Sequence, residues 1–278
     1  MPKEVSTAKI LERYYLKEKL PHIWCAGCGL GIATVAFVRA FDALGLDQDK
    51  TVLVNGIGCS GRTAAYLDFD VFKGTHGRAI PVATGIKLFK PDLNVVVMAG
   101  DGDLAAIGGN HLIHAARRNI DILVILFNNQ IYGMTGGQVS PTTPLGAIAS
   151  TAPYGSPERA FDLCELAKGA GATYVARGTS YHARQLTKLF TAALQHKGFA
   201  MVEVISPCPQ QYGRYNRQGD AAEMLFWLKD HAIPFARARD ASPETLKDRL
   251  IVGEMVNVQA PEGVEEQRRL AVKAQKET

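Results

Sequence analysis

Apolar residues gather in short unbroken runs along this chain, and most of the runs close on glycine, asparagine or serine. Thr51 to Asn55, Asn94 to Ala99, Ile122 to Phe127 and Phe199 to Ile205 are rich in β-branched and aliphatic side chains. Such runs predict strands buried on both faces, as a parallel sheet requires. Between them apolar residues recur at helical spacing, over Gly29 to Leu44, Leu104 to Arg118 and Tyr181 to His196. In the last of these Leu186, Leu189, Phe190, Ala193 and Leu194 share one face. Residues 1–20 predict a charged amphipathic helix leading into Pro21, Glu158 to Lys168 a further helix, and Ala172 to Ala176 an extended segment. The strand, loop, helix and strand from Asn94 to Phe127 form one right-handed crossover unit. The fold class expected is α/β, a doubly wound, mostly parallel sheet with helices on both faces, over residues 1–217. From Asn216 the strand pattern fades and beyond Pro261 charge dominates, so 218–278 is expected to be a C-terminal extension that docks on a partner or stays mobile.

Chemistry collects where the strands end. Gly100-Asp101-Gly102-Asp103 follows one strand and Asn128-Asn129 the next. Bare glycines let a phosphate approach the backbone, the amides opening the intervening helix face an anion, and the oxygens of Asp101 and Asn129 are the hard ligands Mg²⁺ prefers. The pair is how a protein holds a diphosphate through a metal ion. Gly56-Ile57-Gly58-Cys59-Ser60-Gly61-Arg62 is a second glycine-rich loop at a strand end, and Ser206-Pro207-Cys208-Pro209 closes another. Tyr132 to Pro144, full of Gly, Ser, Thr and Pro, is too irregular for core and is expected to cover the cofactor.

The chain has 278 residues, 47% hydrophobic and 21% charged, ample for one large domain. The net charge of +4 is scattered among acids, which argues against nucleic acid. The longest apolar run is far too short to cross a bilayer, and the N-terminus lacks an apolar signal core, so a cytoplasmic protein without a membrane partner is expected. In that compartment the five cysteines are not a disulfide framework. Cys25-Ala26-Gly27-Cys28 has the spacing of a metal-binding pair, and Cys59 and Cys208 end strands on the same edge. Iron–sulfur clusters and zinc both accept four such thiolates. Cys164, beside Leu163 and Leu166, is read as a buried apolar residue.

The motif order WCAGCG, GIGCSGR, GDGD with NN, then SPCP with Gly213, Arg214 and Asn216 resembles the β subunit of 2-oxoacid:ferredoxin oxidoreductases from about residue 21 to 217. Pro21-His22-Ile23-Trp24-Cys25 and the compact length are most similar to the 2-oxoglutarate type. The resemblance implies a thiamine diphosphate-binding fold in which Asp101, Asn129 and the backbone carbonyl of Ile131 hold Mg²⁺. Gly102, Asp103 and Thr135 then lie near the diphosphate, and Gly58, Cys59, Ser60, Gly100 and Gly133 complete the cofactor loops. Cys25, Cys28, Cys59 and Cys208 are implied to bind a [4Fe–4S] cluster. Arg62 is implied to meet a substrate carboxylate, with His76 second in rank as a catalytic group. His111 and His114, three apart on the crossover helix, lack a third ligand and are expected to pack.

The activity implied is CoA-dependent oxidative decarboxylation of 2-oxoglutarate, or its reversal, with electrons passing to ferredoxin. The glutamate that activates the aminopyrimidine is implied to come from an α subunit, since neither Asp103 nor Glu165 suits the task. Pyruvate is the alternative substrate. A non-oxidative thiamine diphosphate decarboxylase and a zinc-stapled scaffold are the alternative classes.

Overall fold

The computed structural model describes residues 6–277. Ser6 caps α1 (Thr7–Tyr14), its hydroxyl accepting from the Lys9 amide. Tyr14 ends the helix by burial: its ring meets Phe41 edge-on and its hydroxyl donates to Asp42 at 2.8 Å, seating α1 on α2 (Leu30–Ala43). The helix expected over 1–20 is therefore short, because Tyr15 turns extended and bridges to Leu67; residues 1–5 of that expectation lie outside the described residues.

The chain continues through β1 (Thr51–Asn55), β2 (Asp70–Lys73), α3 (Ala79–Phe89), β3 (Asn94–Gly100), α4 (Gly109–Arg117) and β4 (Leu123–Asn128). A small ribbon, β5 (Ile131–Tyr132) with β6 (Gln138–Val139), gives the expected covering loop a regular base. Then come α5 (Leu163–Gly169), β7 (Tyr174–Thr179), α6 (Ala183–Gln195) and β8 (Ala200–Ile205). The C-terminal part holds α7 (Ala221–His231), β9 (Ala232–Pro234), the single turns α8 (Phe235–Ala238) and α9 (Pro243–Leu246), β10 (Leu250–Asn257) and α10 (Gly263–Glu277).

The strands form one sheet in the order β2-β1-β3-β4-β8-β7-β10-β9. All neighbours run parallel except β10 against β7. Alternate side chains serve opposite layers. Leu53, Val96, Met98, Ile125 and Val202 meet Phe37 and Phe41 of α2 and Phe190 of α6. Val54, Val97, Ala99, Val124 and Met201 meet Ala83 of α3, Leu112 of α4 and Leu163 of α5. Each of the larger side chains removed from water contributes about 1.5–3 kcal/mol, so both layers are needed to hold the central strands.

Three expectations are corrected. The crossover helix over 104–118 is two pieces: Gly102–Ile107 winds as a π-turn, its Gly108 amide reaching back to the Asp103 carbonyl at 3.0 Å, before α4 begins. A Cβ on Gly108 would stand 2.5 Å from that carbonyl oxygen, so the wide turn needs glycine there. The helix expected from Glu158 starts only at Leu163, where the Asp162 carboxylate caps it by accepting from the amides of Cys164 and Glu165. The strand pattern does not end at 216, since β10 joins the sheet and buries Val252.

This pairing predicts that a chain truncated after Arg217 loses the outer edge partner of β7 and with it cooperative unfolding. Circular dichroism melts would show it; a sharp transition in the truncated chain would mean that residues 1–217 fold alone.

Candidate active site

The segments that follow β1, β2, β3 and β4 meet at one edge of the sheet and line a cavity of ≈ 380 Å³. Its walls include Gly58, Cys59 and Ser60 after β1, His76 before α3, Gly100 to Asp103 after β3, and Asn129, Ile131, Gly133 and Thr135 after β4. This is where ligands bind in open parallel sheets. Gly102 lies flat against Tyr132, which donates to the Gly102 carbonyl at 2.8 Å; a Cβ there would stand 2.3 Å from the ring.

The two acids of the GDGD loop face different ways. Asp103, 2% exposed, accepts from the backbone amides of Ile57 and Gly77, each at 2.5 Å. It ties the loops after β1 and β2 to the loop after β3, and Gly56 is required beside it because a Cβ there would stand 2.1 Å from the carboxylate. His76 Nδ1 lies 3.6 Å from the same carboxylate. Asp101, 3% exposed, accepts on Oδ2 from Ser140 Oγ at 2.6 Å and Thr142 Oγ1 at 2.5 Å. Burial raises its pKa, opposed in part by those hydroxyls.

Asp101 Oδ1 is left for a third party. Asn129 Oδ1 stands 3.3 Å from it and 2.7 Å from the Ile131 carbonyl oxygen. The Asn129 oxygen receives one long hydrogen bond, from the Ile131 amide at 3.3 Å, and otherwise faces oxygens. Rotating the amide would turn these contacts into hydrogen bonds; a cation among the three would turn them into ligands. Either way the point they surround calls for positive charge, and a carboxylate, an amide oxygen and a carbonyl are the ligand types of Mg²⁺. The chemistry of this donor set fits the ion.

Beside this cradle lie the cysteines, all free. Burial pushes the Cys28 thiol up to about 11, and Cys25, Cys59 and Cys208 each add to the rise. Burial likewise raises Cys59 and Cys208, with Cys25 close enough to contribute to both. The Trp24 indole donates to the Cys59 carbonyl at 2.8 Å and so joins the two cysteine loops. Among the described residues no three of His, Cys, Asp or Glu close on one point as a single ion demands. Thiols are the donor type that an iron–sulfur cluster takes. Cys164 is buried and stands apart, its thiol donating to Glu203 at 3.2 Å.

Not every expected residue reaches the cavity. Arg62 is exposed on the turn following Cys59 and is not part of the cavity wall. Thr135 lines it, but its hydroxyl donates to Gln138 at 2.6 Å. Sequence reasoning passed over Ser140 and Thr142, whose hydroxyls orient Asp101; the hydroxyl-rich run Ser140-Pro141-Thr142-Thr143 closing the covering loop was the available signal.

Residues 56–204 match the family described as thiamine pyrophosphate enzyme, C-terminal TPP binding domain. The chain is thus a thiamine diphosphate enzyme by fold and by the position of its cradle. It is 51% identical over 265 residues to 2-oxoglutarate synthase subunit KorB of Methanocaldococcus jannaschii, covering 95% of this chain and 98% of the relative. It is 58% identical over 218 residues to the subunit of the same name in Archaeoglobus fulgidus, covering 78% and 79%. A solved 2-oxoglutarate:ferredoxin oxidoreductase from Magnetococcus marinus, with 2-oxoglutarate, coenzyme A and succinyl-CoA bound, superposes with a TM-score of 0.84 at 32% identity over 95% of this chain and 90% of that one. The chain belongs to the β subunits of the 2-oxoglutarate:ferredoxin oxidoreductase family.

The cradle predicts that Asp101→Ala weakens binding of thiamine diphosphate with Mg²⁺ by more than the ~10–100-fold that changes behind a metal ligand cost. Equilibrium dialysis measures it; undiminished binding would remove Asp101 from the cation site.

Proposed function

We propose that this chain carries out CoA-dependent oxidative decarboxylation of 2-oxoglutarate, or its reversal, with thiamine diphosphate held through Mg²⁺ and electrons leaving through a [4Fe–4S] cluster. The observation that carries the reading is a single glycine. A Cβ on Gly133 would stand 3.3 Å from Cys208 Sγ and 3.7 Å from Asn129 Nδ2, so the Cys208 thiol and the cation cradle are separated by the thickness of one backbone segment. A non-oxidative decarboxylase has no use for that proximity, and a zinc staple has no reason to stand against a diphosphate site.

Asp101, Asn129 and Ile131 would hold the cation, and Gly100 and Gly102 would admit the diphosphate. Cys25, Cys28, Cys59 and Cys208 would hold the cluster. Bound thiamine diphosphate supplies a carbanion for the 2-oxo carbon and a sink for the electrons left when CO₂ departs. His76 lines the cavity with its Nδ1 turned to the Asp103 carboxylate at 3.6 Å, and is proposed to meet the ligand. The cavity's acids among the described residues are Asp101 and Asp103, both engaged by the protein. An activating glutamate from an α subunit is therefore part of the proposal, and that subunit is also the partner proposed for the segment after 217.

Electrons would leave at Cys25, which is exposed and opens on a groove of ≈ 1530 Å³ rimmed by Arg184 and Lys188. That setting suits ferredoxin, an acidic carrier. No helix among the described residues is long and apolar enough to cross a membrane. Five unpaired thiols suit the reducing cytoplasm. Arg62, exposed near Cys59, is proposed to reach a substrate carboxylate in the assembled enzyme, where its planar fork would pair with it.

Anaerobic purification with the co-purifying subunit should give about four irons per chain together with thiamine diphosphate. Thiamine diphosphate without iron would support the decarboxylase instead, and zinc alone the scaffold. In the same preparation Arg62→Ala should raise the KM for 2-oxoglutarate about tenfold or more, the loss expected for one charge-assisted contact. An unchanged KM would place Arg62 outside the site.

A further inference from the structure

Glu203 is an acid in the middle of a fully buried strand. It lies on β8 opposite Leu126 of β4 and Arg177 of β7, and is 1% exposed. Strand interiors of this kind hold valine and isoleucine, and a carboxylate there survives only with every lone pair engaged. Oε2 accepts from Arg177 Nε at 2.5 Å and from the Cys164 thiol at 3.2 Å. Oε1 accepts from Asn128 Nδ2 at 2.7 Å. Arg177 continues outward to Asp162 at 2.6 Å, half-exposed at the start of α5. Burial works against the guanidinium's charge, but Glu203 and Asp162 hold its pKa above the ordinary value.

The bond to Asn128 carries directional information. A carboxylate only accepts, so it fixes which end of the Asn128 amide turns towards it. The amide nitrogen faces Glu203, and Asn128 Oδ1 must face the cavity side. There it accepts from the Gln130 backbone amide at 3.1 Å and from Thr142 Oγ1 at 2.9 Å. The first contact closes the turn in which Gln130 takes φ 63°, the left-handed conformation that presents the Asn129 side chain and the Ile131 carbonyl together. In the second, the single Thr142 hydroxyl proton is shared between Asn128 Oδ1 and Asp101 Oδ2, the latter nearer at 2.5 Å, leaving Asp101 Oδ1 towards Asn129. One buried carboxylate thus stands behind all three oxygens of the cation cradle.

We propose that Glu203 is the positioning residue of the Mg²⁺ site, acting through the Asn128 amide; the inference rests on the cation reading above and deepens it. In Glu203→Gln the new amide keeps its oxygen for Arg177, and its nitrogen then confronts Asn128 Nδ2. Asn128 must turn over, which sets its nitrogen against the Gln130 N–H and opens the turn. Side chains that orient metal ligands typically govern metal affinity by ~10–100-fold.

The test uses the complex as it co-purifies, stripped of cofactor, with Mg²⁺ titrated at saturating thiamine diphosphate and binding read by equilibrium dialysis and by the melting temperature without Mg²⁺. Glu203→Gln should weaken Mg²⁺ by ~10–100-fold. Asp162→Asn, which loosens the outer end of the same ion-pair chain, should lower the melting temperature and leave Mg²⁺ affinity unchanged. Equal affinity in wild type and Glu203→Gln overturns the proposal, and so does equal weakening by Asp162→Asn, since Glu203 would then act only on general stability. If Glu203→Gln does not fold, Thr142→Val, which preserves shape and removes the hydroxyl, should give the same weakening, and unchanged affinity there overturns the proposal equally. A wild-type complex that binds thiamine diphosphate with no divalent ion would sink the cation reading itself, a result distinct from any failure confined to the variants.

Discussion

The site depends first on Asp103, a carboxylate that serves the protein's own backbone. By accepting the amides of Ile57 and Gly77 it gathers the loops after β1 and β2 onto the loop after β3. Hydrogen bonds to a charged acceptor contribute about 1.5–3 kcal/mol each, and here two of them act on the backbone at the rim of the cavity. The π-wound turn from Gly102 to Ile107 follows from the same point. Its widened loop lets Asp103 turn back into the protein while Asp101, two residues earlier, faces the cavity. Without Asp103 these three strand ends would be separate instead of walls of one cavity.

Buried polar groups then take over from apolar packing as the source of order. Ser140 and Thr142 on the covering loop reach Asp101, and the Asn128 amide links Thr142 to Glu203 and Arg177 in the centre of the sheet. A buried ion pair is weak support for stability, because desolvation offsets most of the attraction. Its value is in geometry: each member accepts or donates in one orientation only. The loop over the cavity is thereby placed from beneath by the sheet, in addition to the apolar cluster of Ile131, Val139, Ala147 and Tyr212.

Much of this was legible along the chain. Strands β3, β4 and β8 are covered on both faces, so they read as apolar runs, and the GDGD, Asn-Asn and cysteine motifs sit at their ends. β2 escaped because Asp70-Val71-Phe72-Lys73 is a short exposed edge flanked by charge. β10 escaped because a bulge between Glu254 and Val256, next to Gly253 at φ 123°, slips the alternation that marks a strand. Ser140, Thr142 and Glu203 were invisible for a different reason. Their roles are defined by partners 39, 41 and 75 positions away, and no local pattern encodes such pairings. Arg62 shows the converse: its motif is clear, yet the isolated subunit leaves it on the surface.

The charges within the site also form a single account. Asp101, Asp103 and Glu203 are all buried, and Arg177 pairs with Glu203. Asp103 is satisfied by backbone dipoles. Asp101 has hydroxyls on one oxygen and the Asn129 oxygen facing the other, and burial raises its pKa. Protonation would relieve the buried charge at the cost of the ligand, and a divalent cation would relieve it while keeping the ligand ionised. Because metal ligands must be deprotonated, cation and proton compete for Asp101, and cation binding should weaken as pH falls through its raised pKa. A cradle whose oxygens are held in place before the ion arrives binds at less conformational cost, and in this chain that preorganisation is what the network behind Asp101 and Asn129 supplies.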